Sequence, residues 1–140
     1  MPVYFHTDKD SFRIKQKRKL KHWVSSIIED NDKTIGAINY IVCTDKTLLE
    51  INNQYLKHDD YTDVITFDQS DDPKIITGDI YISLERVKEN AKNYRVVWAQ
   101  ELHRVMVHGI LHLLGYRDKT EQEKSTIRSR ENFYLSLLEI

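Results

Sequence analysis

Apolar residues recur along the chain at two spacings, which predict an alternation of helices and strands. Steps of three and four residues, typical of a helix with one buried face, run through residues 13–30 and 97–114. Further helices are predicted at residues 45–55, 84–94 and 120–138. Runs rich in β-branched and aromatic residues predict strands at residues 3–6, 34–43, 64–68 and 75–83.

The order β-α-β-α-β-β-α-α-α predicts an α+β fold, with a mixed sheet of roughly four strands packed with about five helices. A chain of 140 residues is typical of one domain, and we expect residues 1–140 to form it. The first helix is expected to bury Leu20, Trp23, Val24, Ile27 and Ile28. The last helix is expected to pack through Ile127, Phe133, Tyr134, Leu137 and Leu138.

Two glycines and one cap refine this picture. Gly78 interrupts the fourth strand, which predicts a bulge or a close approach of another backbone. Gly115 follows the most apolar helix and fits the left-handed position just past a helix end. Thr44 or Asp45 can cap the second helix.

The composition narrows the class of protein. Hydrophobic residues make up 40% of the chain and charged residues 31%, which excludes a disordered polyelectrolyte and a collagenous sequence. No apolar run approaches the roughly 18 residues of a membrane-spanning helix, and the N-terminal residues do not resemble a secretory signal. Cys43 is the single cysteine, so nothing requires an oxidising compartment. These features predict a soluble cytoplasmic protein with no membrane partner.

Charge is unevenly distributed, although the formal net charge is only -1. The start of the first helix carries a run of cations with no acidic residue among them: Arg13, Lys15, Lys17, Arg18, Lys19 and Lys21. Such a run attracts phosphate backbones, but it is also typical of an ordinary solvated helix face. Because cations at a helix N-terminus oppose the helix dipole, the pattern favours a functional role.

The segment with the clearest chemistry begins at His108. On a helix, His108 and His112 project from one face one turn apart, so both imidazoles can reach one cation. Gly115 then ends the helix and reverses the chain, which lets Asp118 return toward the two rings. Three protein ligands leave one position open for water, the arrangement of catalytic rather than structural zinc. The alternative is a pair of core histidines satisfied by hydrogen bonds.

This spacing reproduces the metzincin pattern HExxHxxGxxH, with aspartate as the third ligand. Metalloproteases place a glutamate directly after the first histidine as general base, and this chain has Gly109 there, which argues against a peptidase. Metal-activated water can instead attack a phosphodiester. The remaining histidines are expected to be surface or core residues: His6, His22, His58 and His103.

The run HGILHLLGY, which begins at His108, resembles the signature HGxLHLxGYDH of the YbeY family of bacterial metal-dependent endoribonucleases. Upstream, the runs NNQY, TDVITF and GDIYIS are similar to the family's patterns NxxYRxxDxPTDVLSFP and GDIxIS. Together these matches cover most of residues 45–120.

The resemblance implies a small metallo-endoribonuclease that hydrolyses phosphodiesters of single-stranded RNA with metal-activated water. The implied roles are rRNA maturation, including processing of the 16S rRNA 3′ end, and ribosome quality control. His108 and His112 match zinc ligands of the family, and Asp118 stands where the family has its third histidine. One Zn²⁺ per chain is expected, with Ni²⁺ or Mn²⁺ as alternatives, because an aspartate oxygen is a harder ligand than imidazole.

Two further positions depart from the family pattern. Leu56 stands where the family usually has an arginine able to hold a phosphate, and Tyr61 stands where it has proline. Lys57, His58 or Arg117 can supply the missing cation.

Other polar residues are candidates for supporting roles. Asp79 can accept a hydrogen bond from a ligand histidine and so orient it, or else it is a bulge residue beside Gly78. Thr62, Asp63 and Thr66 can form a polar rim of the cleft, or belong to an ordinary loop-to-strand transition.

Lys17, Arg18 and Lys21 are the candidate docking face for single-stranded rRNA, with the ribosome or ribosomal proteins as further partners. Two other functions compete with the nuclease. One is a ribosome-assembly or RNA-binding module whose metal is structural. The other is a metal-dependent hydrolase of a different substrate, including a protease with a relocated base. The sequence leaves the oligomeric state open.

Overall fold

The computed structural model describes residues 2–7, 13–56 and 62–138, and these ranges form a four-stranded sheet and five helices. In chain order the elements are β1 (Val3–Thr7), α1 (Lys17–Asp30), β2 (Thr34–Cys43), α2 (Asp45–Leu56), β3 (Val64–Asp68), β4 (Ile75–Ser83), α3 (Leu84–Tyr94), α4 (Trp98–Leu113) and α5 (Glu121–Ser136). The predicted element order and the α+β class are confirmed. Within these ranges, no helix combines the length and apolar character needed to cross a membrane.

One mixed sheet lies at the centre of the fold, with strand order β1-β2-β4-β3. β2 pairs in parallel with β1 and β4, whereas β3 pairs antiparallel with β4. The register of β2 against β4 shifts between Ile35 and Ile38. At Gly78 a β-carbon would lie 2.8 Å from the carbonyl oxygen of Phe67 on β3. Of the two predictions for Gly78, the close backbone approach is therefore confirmed.

Helices cover the two faces of the sheet unequally. The main core lies on one face, where α1, α3, α4 and α5 pack against fully buried side chains such as Tyr40 and Ile80. On the other face α2 covers a smaller cluster that contains Leu48 and Ile65. Thr44 caps α2, since its Oγ1 accepts a hydrogen bond from the backbone N–H of Thr47 at 3.1 Å.

Gly109 brings α4 close to the middle of the sheet. A β-carbon at this position would lie 2.8 Å from Cγ2 of Ile80 on β4. Farther along the helix, Leu113 lies so close to Gly78 that a β-carbon on that glycine would be 2.9 Å from Cδ1 of the leucine. These two contacts fix the position of the helix that carries the paired histidines.

α1 begins at Lys17 rather than at residue 13, so Arg13 and Lys15 precede the helix. The residue before it, Gln16, adopts the left-handed conformation with φ 61° and makes no side-chain cap. The first turn of α1 has no acidic residue, and cations there oppose the helix dipole. The helix therefore starts four residues later than apolar spacing predicts, directly after the left-handed Gln16.

The predicted packing of α5 is confirmed for Ile127, Tyr134 and Leu138, which lie in or against the core, and is wrong for Phe133 and Leu137. Ile127, Glu131 and Tyr134 are buried, whereas Phe133 is 46% exposed and Leu137 is 56% exposed. The observed stripe has steps of four and three residues, as a packed helix requires, but a glutamate occupies its middle. Apolar residues alone therefore predicted part of the buried face, but they included two exposed residues and left out Glu131.

Candidate metal centre

The C-terminal end of α4 is closed by Gly115, whose φ is 104°. The N–H of Gly115 donates to the carbonyl of His112 at 3.0 Å, and the N–H of Tyr116 donates to the carbonyl of Leu111 at 2.9 Å. These bonds form a Schellman motif, in which a left-handed residue ends the helix and turns the chain back. The carboxylate of Asp118, three residues beyond the glycine, thereby returns to the helix face that carries both histidines.

Three side-chain atoms converge at this turn. Nε2 of His108 and Nε2 of His112 are 2.9 Å apart, and Oδ2 of Asp118 lies 3.5 Å and 3.4 Å from them. Ligands about 2.0–2.1 Å from one tetrahedral zinc ion are separated from each other by about 3.3 Å. Among the described residues, these three are the one group of His, Cys, Asp or Glu able to hold a metal ion together. The donor set and its spacing fit such an ion.

Glu131 of α5 fixes the ring of His108. Its Oε2 accepts a hydrogen bond from Nδ1 of His108 at 2.6 Å, and its Oε1 accepts one from Nη1 of Arg104 at 2.9 Å. A proton on Nδ1 leaves the lone pair of Nε2 free to face His112 and Asp118. Metal-binding histidines commonly have a carboxylate partner of this kind, which sets both tautomer and ring orientation.

The charges of this cluster shift the pKa values of its members in different directions. Burial alone would lower the pKa of His108, but the hydrogen bond and the charge of Glu131 outweigh burial and raise it. Burial would raise the pKa of Glu131, but His108 and Arg104 hold it below its ordinary value. For His112, burial and the charge of His108 prevail, and its pKa is lowered. His112 therefore favours the neutral form that a metal ion requires.

A cavity of about 320 Å³ opens beside His108, between α3, α4 and α5. Asp63 and Glu101 lie on its walls, and burial raises the pKa of both carboxyl groups. For Glu101 the charge of Asp63 adds to this rise. Nδ2 of Asn90 lies 3.4 Å from Oδ2 of Asp63, to which it donates a hydrogen bond. His108 therefore belongs both to the group of three converging ligand atoms and to the wall of the cavity.

Comparison with known proteins identifies the family. Residues 4–139 match the family model described as Endoribonuclease YbeY. The chain belongs to this family. A relative of the same name from Flavobacterium psychrophilum is 50% identical over 129 residues, which cover 92% of this chain and 91% of the relative. Another, from Cytophaga hutchinsonii, is 42% identical over 135 residues, which cover 96% of this chain and 94% of the relative.

A solved structure shows the same fold. The solution structure of a protein from Thermotoga maritima matches with a TM-score of 0.65 at 24% sequence identity. The match covers 96% of this chain and 87% of the other. At this level of identity the likeness supports the α+β architecture alone.

The residues to which the YbeY resemblance pointed are only partly described. Residues 57–61, which include Lys57, lie outside the described ranges. Arg117 is exposed, directly before Asp118. Asp63, a predicted rim residue, lines the cavity beside His108. Thr62 donates to the carbonyl of Val64 at 3.3 Å, which is the local turn chemistry expected as its alternative role.

Asp79 lies on the sheet face opposite α4, because alternate residues of β4 face the helices. Its carboxylate accepts hydrogen bonds from Nδ2 of Asn39 at 3.1 Å and from Nε2 of Gln69 at 2.7 Å. This corrects the expectation that Asp79 orients a ligand histidine. Glu131 takes that position instead.

The remaining candidate residues belong to α1 or contact it. Lys17 and Arg18 are exposed in its first turn, and Lys21 is half-buried. His103 of α4 packs edge-on against Trp23 of α1, with ring centroids 6.3 Å apart. The group of described residues that could hold a metal consists of His108, His112 and Asp118.

Sequence reasoning missed Glu131 and its partner Arg104. Both lie on helices that apolar spacing predicts, and Glu131 is 23 residues from His108 along the chain. One signal could have found it. A glutamate at the middle of the stripe formed by Ile127 and Tyr134 is a charge on a packing face, which requires a buried partner.

Proposed function

We propose that this chain is a metal-dependent endoribonuclease that cuts single-stranded rRNA during maturation, including the 16S rRNA 3′ end, and in ribosome quality control. The observation that carries the proposal is the convergence of His108 Nε2, His112 Nε2 and Asp118 Oδ2 beside an open cavity. Family membership supports the reaction class, because relatives that match nearly the whole chain bear the name endoribonuclease.

The chain's own residues hold and orient the centre. His108 and His112 offer Nε2 lone pairs, Asp118 offers an anionic oxygen, and Glu131 keeps the His108 ring in the required tautomer. A divalent cation bound there supplies Lewis-acid chemistry, since it lowers the pKa of water and stabilises negative charge on a phosphoryl oxygen. Gly109, packed against the sheet, provides no general base after the first histidine, so a peptidase is disfavoured.

We infer that the resident ion is Zn²⁺, one per chain. Two imidazoles with one carboxylate are the ligand set of known catalytic zinc sites, and three protein ligands leave a position for water or substrate. The aspartate makes this donor set harder than three imidazoles. Ni²⁺ and Mn²⁺ are therefore tested beside zinc.

RNA binding is assigned to cations outside the centre. Lys17, Arg18 and Lys21 form the proposed docking face, which contacts the phosphate backbone without reading its sequence. Arg117, which directly precedes Asp118, is the proposed contact to a phosphate near the centre, because a leucine at position 56 cannot replace the family's arginine. Lys57 is a further proposed RNA contact. A ribosomal substrate implies work in the cytoplasm, with the ribosome or ribosomal proteins as partners.

The metal content of the purified protein tests the centre. After reconstitution, elemental analysis is expected to find about one zinc per chain in the wild type and much less in Asp118→Ala. Asp71→Ala is the matched control, because it removes an exposed carboxylate elsewhere on the surface. A chain that takes up neither zinc, nickel nor manganese would exclude a metal-dependent nuclease.

Cleavage of a single-stranded rRNA fragment, with its duplex as control, tests the reaction. The zinc-loaded protein is expected to cut the single strand, and chelator or His108→Ala to abolish cutting. If His108→Ala melts the fold and the wild type binds ribosomes without cutting RNA, a binding module with a structural metal is the better account. Casein cleavage that chelator stops, beside intact RNA, would identify a hydrolase of another substrate.

A further inference from the structure

The cavity beside the metal centre has walls that the proposed reaction does not use. Its volume of about 320 Å³ falls within the range of small-ligand pockets. His108 and Asp118 form part of its wall, so an RNA strand cut at the centre brings an adjacent nucleotide to the cavity. Its other walls include Asp63, Asn90, Tyr94 and Glu101.

Glu101 is the feature that points to a ligand. The residue is only 5% exposed, yet within the described ranges no hydrogen bond or ion pair reaches its carboxylate. The neighbouring Arg104 turns instead to Glu131 and Asn132, to which it donates at 2.9 Å and 2.8 Å. The carboxylate oxygens of Glu101 are not enclosed by protein and face the cavity, so water or a ligand there supplies their hydrogen-bond donors. Glu101 therefore offers two acceptor oxygens to a group that enters the cavity.

The distribution of charge indicates which part of a nucleotide fits. The cations Lys124 and Arg128 lie at the rim, with side chains 57% and 55% exposed, where a phosphate backbone passes. The interior instead presents the carboxylates of Asp63 and Glu101, which repel a phosphate. A second metal ion is disfavoured as well, because only the group at His108 brings three ligand atoms together in the described part of the chain. The interior suits a neutral group with N–H donors.

We propose that this cavity is a subsite for a guanine base of single-stranded RNA, in which Glu101 accepts hydrogen bonds from N1–H and the 2-amino group. The inference rests on the proposed function. Guanine presents two adjacent donors on its pairing edge, which match the two oxygens of one carboxylate. On the same edge, adenine and cytosine each present one donor beside an acceptor nitrogen. Uracil presents one N–H between two carbonyl oxygens. Tyr94, 59% exposed, offers a ring on which the base can stack.

Cleavage of short oligonucleotides by the zinc-loaded, full-length protein tests the base preference. Each strand is uridine throughout, except for one central guanosine, inosine or adenosine. Cleavage beside guanosine is expected to exceed that of the all-uridine strand by about 10-fold or more, the value of hydrogen bonds to a charged group. Inosine lacks the 2-amino group and is expected to lose most of this preference. Equal cleavage of all strands would overturn the subsite and leave the nuclease intact.

Binding by the metal-free protein separates this inference from the proposed function. With chelator present, fluorescence anisotropy is expected to show tighter binding of the guanosine strand than of the all-uridine strand. If no strand is cut but this difference in binding holds, the nuclease proposal fails and the subsite stands. Equal binding of both strands overturns the subsite, whatever the cleavage result.

Glu101→Gln tests the residue itself, because it keeps the size of the side chain and replaces one acceptor by a donor amide. The guanosine-to-uridine ratio is expected to fall about 10-fold in both assays. Glu121→Gln makes the same charge change on a side chain that is 95% exposed, and it is expected to keep the ratio. An unchanged ratio in folded Glu101→Gln would remove the assignment. If circular dichroism shows that this variant does not fold, the inosine comparison in the wild type decides.

Discussion

Replacing Glu131 by glutamine is expected to weaken the metal centre without removing any ligand. Glutamine keeps the volume and one acceptor oxygen, but it removes the charge that faces both His108 and Arg104. The histidine then loses the anionic partner that orients its ring and strengthens it as a ligand. Arg104, whose side chain is 20% exposed, keeps only a neutral partner at that atom.

The geometry gives the size of the effect. Carboxylates that support a metal-bound histidine contribute about 10- to 100-fold to metal affinity, or about 1.4–2.7 kcal/mol of binding free energy. The upper part of this range is expected here, because the bond from His108 to Glu131 is 2.6 Å long and Glu131 is only 5% exposed. Water cannot easily replace the lost charge. The metal-free fold is expected to lose about 1–3 kcal/mol, as hydrogen bonds to charged groups do when weakened.

Zinc titration against a competing chelating dye measures the affinity. Because the pKa of His108 is raised, protons compete with the metal as the pH falls, so the titration is made at a pH where both imidazoles are neutral. Glu121→Gln, which changes the same charge on the surface of α5, is the control and is expected to bind zinc as the wild type does. If Glu131→Gln is folded by circular dichroism and binds zinc with wild-type affinity, the orienting role is refuted.

Three further predictions concern the turn, the docking face and acid stability. Gly115→Ala is expected to lower the free energy of unfolding by about 1–2 kcal/mol in urea, because φ is 104° and an added β-carbon meets no neighbour that could offset the strain. Charge reversal of Lys17, Arg18 and Lys21 is expected to weaken RNA binding and flatten its salt dependence, and an unchanged salt slope in anisotropy titrations would contradict the docking face. Burial lowers the pKa of His103 in the folded protein, so the unfolded chain binds a proton at a pH at which the folded chain does not. The free energy of unfolding is therefore expected to decrease as the pH falls below 6.5. His103→Gln is expected to reduce this decrease in the free energy of unfolding at acidic pH. Urea midpoints are measured over a pH series, and an equal fall in the wild type and the variant would contradict the prediction.

Most of the fold could be predicted because it follows from local spacing. α4 is predicted at residues 97–114 and observed at Trp98–Leu113, since its apolar residues repeat along its whole length and Gly115 marks its end. Two features elsewhere do not follow from that spacing. α1 begins at Lys17, directly after the left-handed residue Gln16, and on α5 the buried residue between Ile127 and Tyr134 is the charged Glu131.

The same distinction separates the parts of the site. His108, His112 and Asp118 lie on one helix and its cap, so helical geometry and one left-handed glycine bring them together. Glu131 and Glu101 act only because α3, α5 and the start of β3 pack around α4, and no spacing within one helix encodes those contacts. Substitutions in the local motif are therefore expected to remove the metal. Substitutions in the packed carboxylates are expected to change how tightly the metal is held and which base is chosen, while the ligands stay in place.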